Sequence, residues 1–216
     1  LRTRESQNDA RPLPEQQEHA YLLRQEGDGI FLEQDSELSK PVMIEIRDYN
    51  GKGRWSREAV ESRFKSYSKS LGTTINTLEP RIYEEGSVKW IYPLAEAFVE
   101  GIEKHDPASI ELGIELIEDS ASMPFGMILK SNTARALRHS ATLLTKEQCR
   151  RIRNRVGDML ISEYMPREFL QYVKLAKAIG FDDEVSRVEL EADIENHWVR
   201  HYLEKLRGHE NRQTVR

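Results

Sequence analysis

The side chains best suited to bind a metal ion are those of Asp193, His197 and His201. The two histidines are four residues apart and the aspartate lies about one turn before the first, so one continuous helix would place all three on the same face. The Glu-x-x-His pattern of di-iron bundles and the His-Glu-x-x-His pattern of zinc proteases do not occur in the chain. We therefore expect a packed histidine pair here, and we predict no metal and no other cofactor.

Nucleophilic catalysis has little support in the sequence. No G-x-S-x-G pattern occurs, and Cys149, the single cysteine, falls on an apolar stripe with Ile152 and Val156. That position is typical of a buried thiol and not of a reactive thiolate. We predict no catalytic residue, and an enzyme is the less favoured class of function. A single cysteine also indicates a reducing compartment, so we expect a cytoplasmic protein.

Charge is distributed along the chain in blocks of opposite sign. Residues 91–129 contain eight acids and one base, a net charge of −7, whereas residues 130–155 contain eight bases and one acid, a net charge of +7. The second block predicts a basic surface, which we call the basic ridge, formed by six arginines: Arg135, Arg138, Arg150, Arg151, Arg153 and Arg155. Such a ridge binds an acidic protein surface or phosphates, or it pairs with the acidic block of the same chain.

Helical geometry favours pairing within the chain for part of the basic ridge. At about 100° per residue, the arginines at 150, 151, 153 and 155 spread around the exposed half of a helix and do not form one line. Nucleic acid is the least favoured partner, because no aromatic side chains interleave with the arginines and the whole chain carries a net charge of −5. Docking of a protein on the basic ridge is less favoured than pairing within the chain and more favoured than binding of nucleic acid.

The elements that would position these residues are mainly helices. Hydrophobic periodicity predicts seven helices, at about residues 57–71, 87–104, 107–120, 124–139, 146–164, 166–180 and 182–207. Asp106 followed by Pro107, and Thr145 followed by Gln148, have the pattern of helix N-caps. The strand candidates at residues 30–32 and 42–46 would form a short β-hairpin.

The chain is predicted to have three parts: a polar N-terminal arm over residues 1–50 that carries the short hairpin, a helical domain over 51–207 and a polar tail over 208–216. No apolar run approaches the ~20 residues of a membrane helix, so no membrane partner is expected. The predicted fold class is therefore all-α in the main.

Two segments of the helical domain resemble each other. At an offset of 59, residues 102–117 and 161–176 both give an apolar residue, an aromatic residue or His, a Pro, and apolar residues ending in Leu. The Asp106 and Thr145 caps are 39 residues apart, a spacing similar to that of HEAT-type repeats. Residues 87–180 thus resemble a HEAT-like α-solenoid of stacked antiparallel helical pairs. An irregular helical bundle is the alternative, because the helix at 124–139 interrupts a clean two-helix register.

The last predicted helix has a second apolar face, which lies opposite its main stripe. This face consists of Leu190, Ile194, His197, Trp198 and His201. A helix that is apolar on two sides is packed on both, so we expect a neighbour on one side and the arm, a partner or a second copy on the other.

The function favoured by these patterns is a non-enzymatic protein-binding helical module, an adaptor or an assembly subunit. Stacked helical pairs provide extended surfaces for protein contacts, and this chain adds opposed charge blocks. A nucleic-acid-binding HEAT-like protein that uses the basic ridge is one alternative, and a self-assembling structural subunit is another.

The sequence yields one direct test of the basic ridge. Reversal of Arg150 and Arg151 to Glu is expected to abolish partner binding and to leave the domain folded, since both residues are assigned to the surface. Circular dichroism checks that the variant is folded, and a pull-down checks that partner binding is lost. Binding that survives with helicity intact would show that the ridge is ordinary surface.

Overall fold

The computed structural model describes residues 44–75, 77–119 and 122–207. Within them the chain forms eight α-helices and three short strands. The helices are α1 (Arg57–Leu71), α2 (Leu94–Glu103), α3 (Pro107–Glu118), α4 (Gly126–His139), α5 (Lys146–Ile161), α6 (Phe169–Ala178), α7 (Asp182–Glu191) and α8 (His197–Leu206). The strands are β1 (Glu45–Asp48), β2 (Ile82–Glu85) and β3 (Val88–Ile91). No helix in these stretches combines the length and apolarity needed to span a bilayer.

The helices alternate between two layers. An odd layer packs α1, α3, α5 and α7 side by side, and an even layer packs α2, α4, α6 and α8 in the same way. Contacts between the layers join α2 and α4 to α3, α6 to α5, and α8 to α7. The prediction of a mainly helical protein is confirmed. The HEAT-like solenoid is not confirmed by this arrangement and stays a prediction.

Neighbouring helices of the even layer run in the same direction. The Ser140 hydroxyl, just after α4, donates to the Ile102 carbonyl near the end of α2 at 3.1 Å, so these helices end at one edge. At the opposite edge, the Asn196 amide before α8 donates to the Glu163 carboxylate before α6 at 2.8 Å. The connections from α3 to α4, from α5 to α6 and from α7 to α8 therefore lie at the edge where the even helices begin, whereas the residues just after α1 contact Asp106 at the edge where α2 ends.

Helix α3 is the centre of the core. Nine of its twelve residues are buried, including Ile110, Leu112, Ile114, Leu116 and Ile117, because it is packed by α1 and α5 in its own layer and by α2 and α4 in the other. Burial of one such side chain contributes about 1.5–3 kcal/mol. Gly113 permits close packing, since an added Cβ would lie 2.5 Å from Ile102 of α2.

The strands form a three-stranded sheet in the order β1–β3–β2, with β1 parallel and β2 antiparallel to β3. Strand β1 overlaps the predicted strand at 42–46 and is hydrogen-bonded to β3, which lies far along the chain. The hairpin partner that we predicted, residues 30–32, falls outside the described residues, as does most of the predicted arm and the tail.

The predicted helix at 87–104 is wrong at its start, because residues 88–91 form β3 and α2 begins only at Leu94. A turn at Gly86, where φ is +57°, brings β3 back along β2, and Pro93 fixes the chain just before the helix. The predicted helix at 182–207 is also wrong as a single element. It breaks after Glu191, and Asn196 caps α8 by accepting from the Trp198 backbone N–H at 2.9 Å.

Two of the predicted helix starts are confirmed in detail. Thr145 and Gln148 form a reciprocal capping box at α5, and Asp106 caps α3 with Pro107 in the first turn. The predicted start of the next helix at Pro166 is wrong, because α6 begins at Phe169 after a turn. It ends as expected near Gly180, where φ is +80°.

The buried Asp106 carboxylate also holds the connection after α1. It accepts hydrogen bonds from the Thr73 hydroxyl at 2.5 Å, the Thr74 N–H at 2.7 Å and the Ser109 N–H at 2.8 Å. Burial alone would raise the pKa of Asp106, but these hydrogen bonds outweigh it and lower the pKa below its ordinary value. The ionised carboxylate is therefore the form that the fold stabilises.

Substitution Asp106→Asn is expected to lower the free energy of unfolding by about 2–4 kcal/mol, because an amide NH₂ would replace an acceptor that faces several donors. Urea denaturation followed by circular dichroism measures this. Since the folded pKa lies below the unfolded one, the contribution of Asp106 is present above the unfolded pKa and is lost as the pH falls through the folded pKa. The wild type should therefore lose more stability on acidification than Asp106→Asn, and equal losses would contradict this role.

Candidate functional site

The central arginine of the basic ridge is bound within the chain. Arg151 donates from Nε and Nη2 to the two carboxylate oxygens of Glu118 at 2.8 and 2.6 Å, and from Nη1 to Glu111. Both glutamates belong to α3, so Arg151 links α5 to the buried centre of the odd layer. The hydrogen bond to Glu118 is the main cause of a raised Arg151 pKa, with Glu111 adding to it against the effect of burial. The Arg151 side chain therefore has a structural role, and its guanidinium is engaged within the chain and not by a partner.

Three other arginines of α5 are also engaged within the chain. Arg155 donates to the Ile117 carbonyl at 3.2 Å, and Arg153 donates to the Gly180 carbonyl at 3.4 Å and lies 3.6 Å from the Asp183 carboxylate. Arg150 pairs along its own helix with Glu147, at 2.8 Å between Nε and Oε2. Pairing within the chain, the favoured interpretation of the sequence, therefore accounts for the arginines of α5.

The two arginines of α4 lie elsewhere. Arg135 is exposed and, within the described part of the chain, donates only to the Asn132 amide oxygen at 2.9 Å. Arg138 is half-buried, and no acid of the described residues lies within 4 Å of its guanidinium. The six arginines thus belong to two separate surfaces, and the structure does not bring them together as one ridge.

Ion pairs join each neighbouring pair of helices in the odd layer. Arg63 of α1 pairs with Glu115 of α3, Arg151 links α3 to α5, and Arg187 of α7 lies 2.9 Å from Asp158 of α5. Tyr67 of α1 also donates to Glu115, and burial together with this bond raises the pKa of Tyr67 to about 12. Each helix–helix boundary of the odd layer is therefore bridged by an ion pair.

The even layer has a different surface. Among the described residues, no ion pair within 4 Å joins side chains of two even helices. A groove of about 510 Å³ runs between α2 and α4 instead. We call it the α2–α4 groove, and its lining comprises Tyr92, Glu96, Val99, Glu100, Glu103, Phe125, Ile128, Leu129, Asn132, Arg135 and His139.

Helical spacing explains why these residues face one another. The α2 residues at positions 96, 99, 100 and 103 follow the three- and four-residue steps of one helix face, and so do the α4 residues at 128, 132, 135 and 139, with Phe125 just before the helix. Because α2 and α4 are parallel, Tyr92 and Phe125 lie at one end of the groove, and Glu103 and His139 lie at the other. The α2–α4 groove therefore runs the full length of both helices.

The end formed by Tyr92 and Phe125 is apolar and aromatic. Tyr49, just after β1, packs edge-on against Phe125 with ring centroids 5.2 Å apart and lies 6.3 Å from Tyr92. Phe125 and Ile128 remain 46% and 53% exposed. Phe125 also has a left-handed backbone, with φ of +56°, a conformation that costs a residue with a side chain about 1 kcal/mol or more. An exposed phenylalanine held at such a cost is typical of a binding site.

A second cleft, of about 410 Å³, lies beside the start of α4 and is lined by Met127, Lys130, Tyr164 and Glu168, among others. Lys130 is buried and donates to the Asp119 carbonyl at 2.9 Å. Burial lowers the pKa of Lys130, and the nearby Glu168 and Asp119 oppose that shift. These buried polar groups tie the chain before α4 to the start of α6, which is a structural role.

The predicted apolar face at residues 190–201 is divided by the break between α7 and α8. Leu190 at the end of α7 is 85% exposed, and Ile194 lies in the connection. Trp198, 57% exposed, packs with His197, His201 and Tyr202 on α8, with the two histidine rings stacked at 6.1 Å. No group of three potential metal ligands occurs in the part of the chain described.

Comparisons with protein-family models, with curated proteins and with solved structures give no match to this chain. The groove residues are therefore assigned from geometry. Of the residues that line the α2–α4 groove, Arg135 was predicted from the sequence and the others were not. The available signal was the stripe of Glu96, Glu100 and Glu103, three acids on one face of a helix whose other face is apolar.

The two sets of arginines should respond differently to truncation. Arg151→Ala is expected to lower the free energy of unfolding by about 2 kcal/mol, because Glu111 and Glu118 lose a half-buried partner. Arg135→Ala should change it by less than about 0.5 kcal/mol. Urea denaturation followed by tryptophan fluorescence measures both. Equal losses of free energy of unfolding in the two variants would contradict the separation of the arginines into two sets. Because Arg151 is part of the structure, reversal of both Arg150 and Arg151 to Glu is expected to destabilise the domain.

Proposed function

We propose that this chain is a non-enzymatic protein-binding helical module, and that a helical segment of its partner docks in the α2–α4 groove. The observation that carries the proposal is the contrast between the two layers. The odd layer pairs its charged side chains across every helix–helix boundary, whereas the even layer leaves an apolar groove with charged sides between two helices. Exposed apolar surface of this kind supports an interaction site.

The dimensions of the groove support a helix as the occupant. The ten residues of α2 span about 15 Å. A partner helix of similar length presents anchors at positions i, i+3 or i+4, and i+7, which is the usual pattern of helices bound in grooves. Val99, Phe125, Ile128 and Leu129 would contact those anchors, with the acids of α2 and Arg135 around them.

The stacked helical pairs remain part of this proposal, since alternation between two layers gives the described helices an extended surface. A nucleic-acid partner is less well supported. Three carboxylates line the α2–α4 groove, and Arg151, Arg153 and Arg155 are engaged within the chain. Self-assembly, in which a second copy supplies the helix, is the alternative that the experiment below distinguishes. A cytoplasmic location stays a prediction that this experiment does not test.

Substitution Ile128→Glu should abolish helix binding, because it places a carboxylate at the centre of the apolar end of the groove. The probe is a phage-displayed library of amphipathic helices, each as long as the 14-residue α4, selected on the full chain. We expect clones whose affinity falls about 30-fold or more with Ile128→Glu, the loss typical of a central anchor.

Leu190→Glu provides the matched control, since Leu190 is an exposed apolar residue of the odd layer. It should leave the affinity of the same clones unchanged. Selected clones that depend on Leu190 and not on Ile128, or a selection that yields no clone dependent on Ile128, would contradict the proposal. Light scattering of the purified chain tests self-assembly. An oligomer that dissociates when Ile128 is replaced by Glu would identify a second copy as the occupant of the groove.

A further inference from the structure

The two sides of the α2–α4 groove carry opposite charge near the end where both helices finish. Glu100 and Glu103 of α2 are exposed, and no base of the described residues lies within 4 Å of either carboxylate. Across the groove, Arg135 and His139 of α4 are exposed as well. Carboxylates therefore form one side of this end, and a guanidinium with an imidazole forms the other.

The remaining acid of the groove is already neutralised. Glu96 lies 3.1 Å from the Arg81 guanidinium, which itself stacks 4.1 Å above the Tyr92 ring. That pair belongs to the aromatic end, where Tyr92 lies. The α2–α4 groove thus combines aromatic side chains with a neutralised ion pair at the end where its helices begin, and it has unneutralised charges, divided between its sides, at the end where they finish.

We infer that the α2–α4 groove binds an amphipathic helix with a basic flank against α2, and that the charge difference between its sides fixes the direction in which that helix runs. The inference rests on the proposed function. A helix turned end for end in a groove keeps its apolar face down but exchanges its two flanks. A helix with bases on one flank and acids on the other therefore makes favourable charge contacts in one direction only.

The preference for a basic flank follows from the same residues. Glu100 and Glu103 offer two exposed carboxylates to a partner, whereas Arg135 offers one guanidinium that already donates to Asn132. A helix that is acidic on both flanks would place like charges against α2, which is unfavourable. The partner is accordingly expected to present lysine or arginine on one flank and apolar anchors below.

The test uses the tightest-binding helix of the library, resynthesised in two forms with the same apolar face. One form carries Lys on its left flank and Glu on its right, and the other carries them exchanged. Each has a benzophenone at its N-terminus, and mass spectrometry maps the cross-links formed with the full chain. We expect one form to label the end at Tyr92 and Phe125 and the other to label the end at Glu103 and His139, each with a preference of about tenfold.

A charge-reversed chain provides the decisive control. The triple variant Glu100→Lys, Glu103→Lys and Arg135→Glu should exchange the two labelling patterns and leave the far-UV circular dichroism unchanged, because all three side chains are exposed. If both forms label the same end, or each form labels both ends equally, the inference that charge fixes the direction of the helix is overturned. Binding in the groove, which is the proposed function, would not be contradicted by that result. Loss of all groove labelling, with binding indifferent to Ile128→Glu, would instead show that the proposed function is wrong.

Discussion

Burial of α3 on almost every side is the constraint on which the rest of the structure depends. Its apolar residues fill the core between both layers, but Glu111, Glu115 and Glu118 lie on the same helix. A carboxylate held at the edge of a core is costly unless it is paired and hydrogen-bonded. Arg63 and Tyr67 of α1 meet this requirement for Glu115, and Arg151 of α5 meets it for the other two. The neighbours of α3 in the odd layer are thereby fixed.

Under the proposed function, this use of arginines leaves the even layer as the surface for a partner. Arg151, Arg153 and Arg155 of α5 are directed to α3, to Gly180 or to Asp183 at the start of α7, and Arg150 pairs with Glu147 on its own helix. Of the acids of α2, Glu96 pairs with Arg81, and no base of the described residues lies within 4 Å of the Glu100 or Glu103 carboxylate. Between α2 and α4 the even layer has a groove lined by charged and apolar side chains, which is the surface that the proposed function assigns to a partner.

Local patterns in the sequence predicted what depends on local interactions. The caps at Asp106 and Thr145 were found because a cap needs only the next three residues. Strand β3 was missed because its four residues directly precede a strongly helical stretch. Its partner β2 is only a turn at Gly86 away, but its other partner β1 is more than 40 residues away. The break before α8 had only Asn196 as a signal, without Gly or Pro. The α2–α4 groove was missed because its two sides come from helices whose adjacency only the tertiary fold provides.

The most direct measurement of the central claim is hydroxyl-radical footprinting of the full chain with and without a selected helix. The exposed side chains of Phe125 and Ile128 report on the groove, while Trp198 and Leu190 report on surfaces outside it. We predict that the bound helix lowers the oxidation of Phe125 and Ile128 several-fold and leaves that of Trp198 and Leu190 unchanged. Protection of Trp198 or Leu190, with Phe125 and Ile128 oxidised as before, would contradict the assignment of the α2–α4 groove as the binding surface.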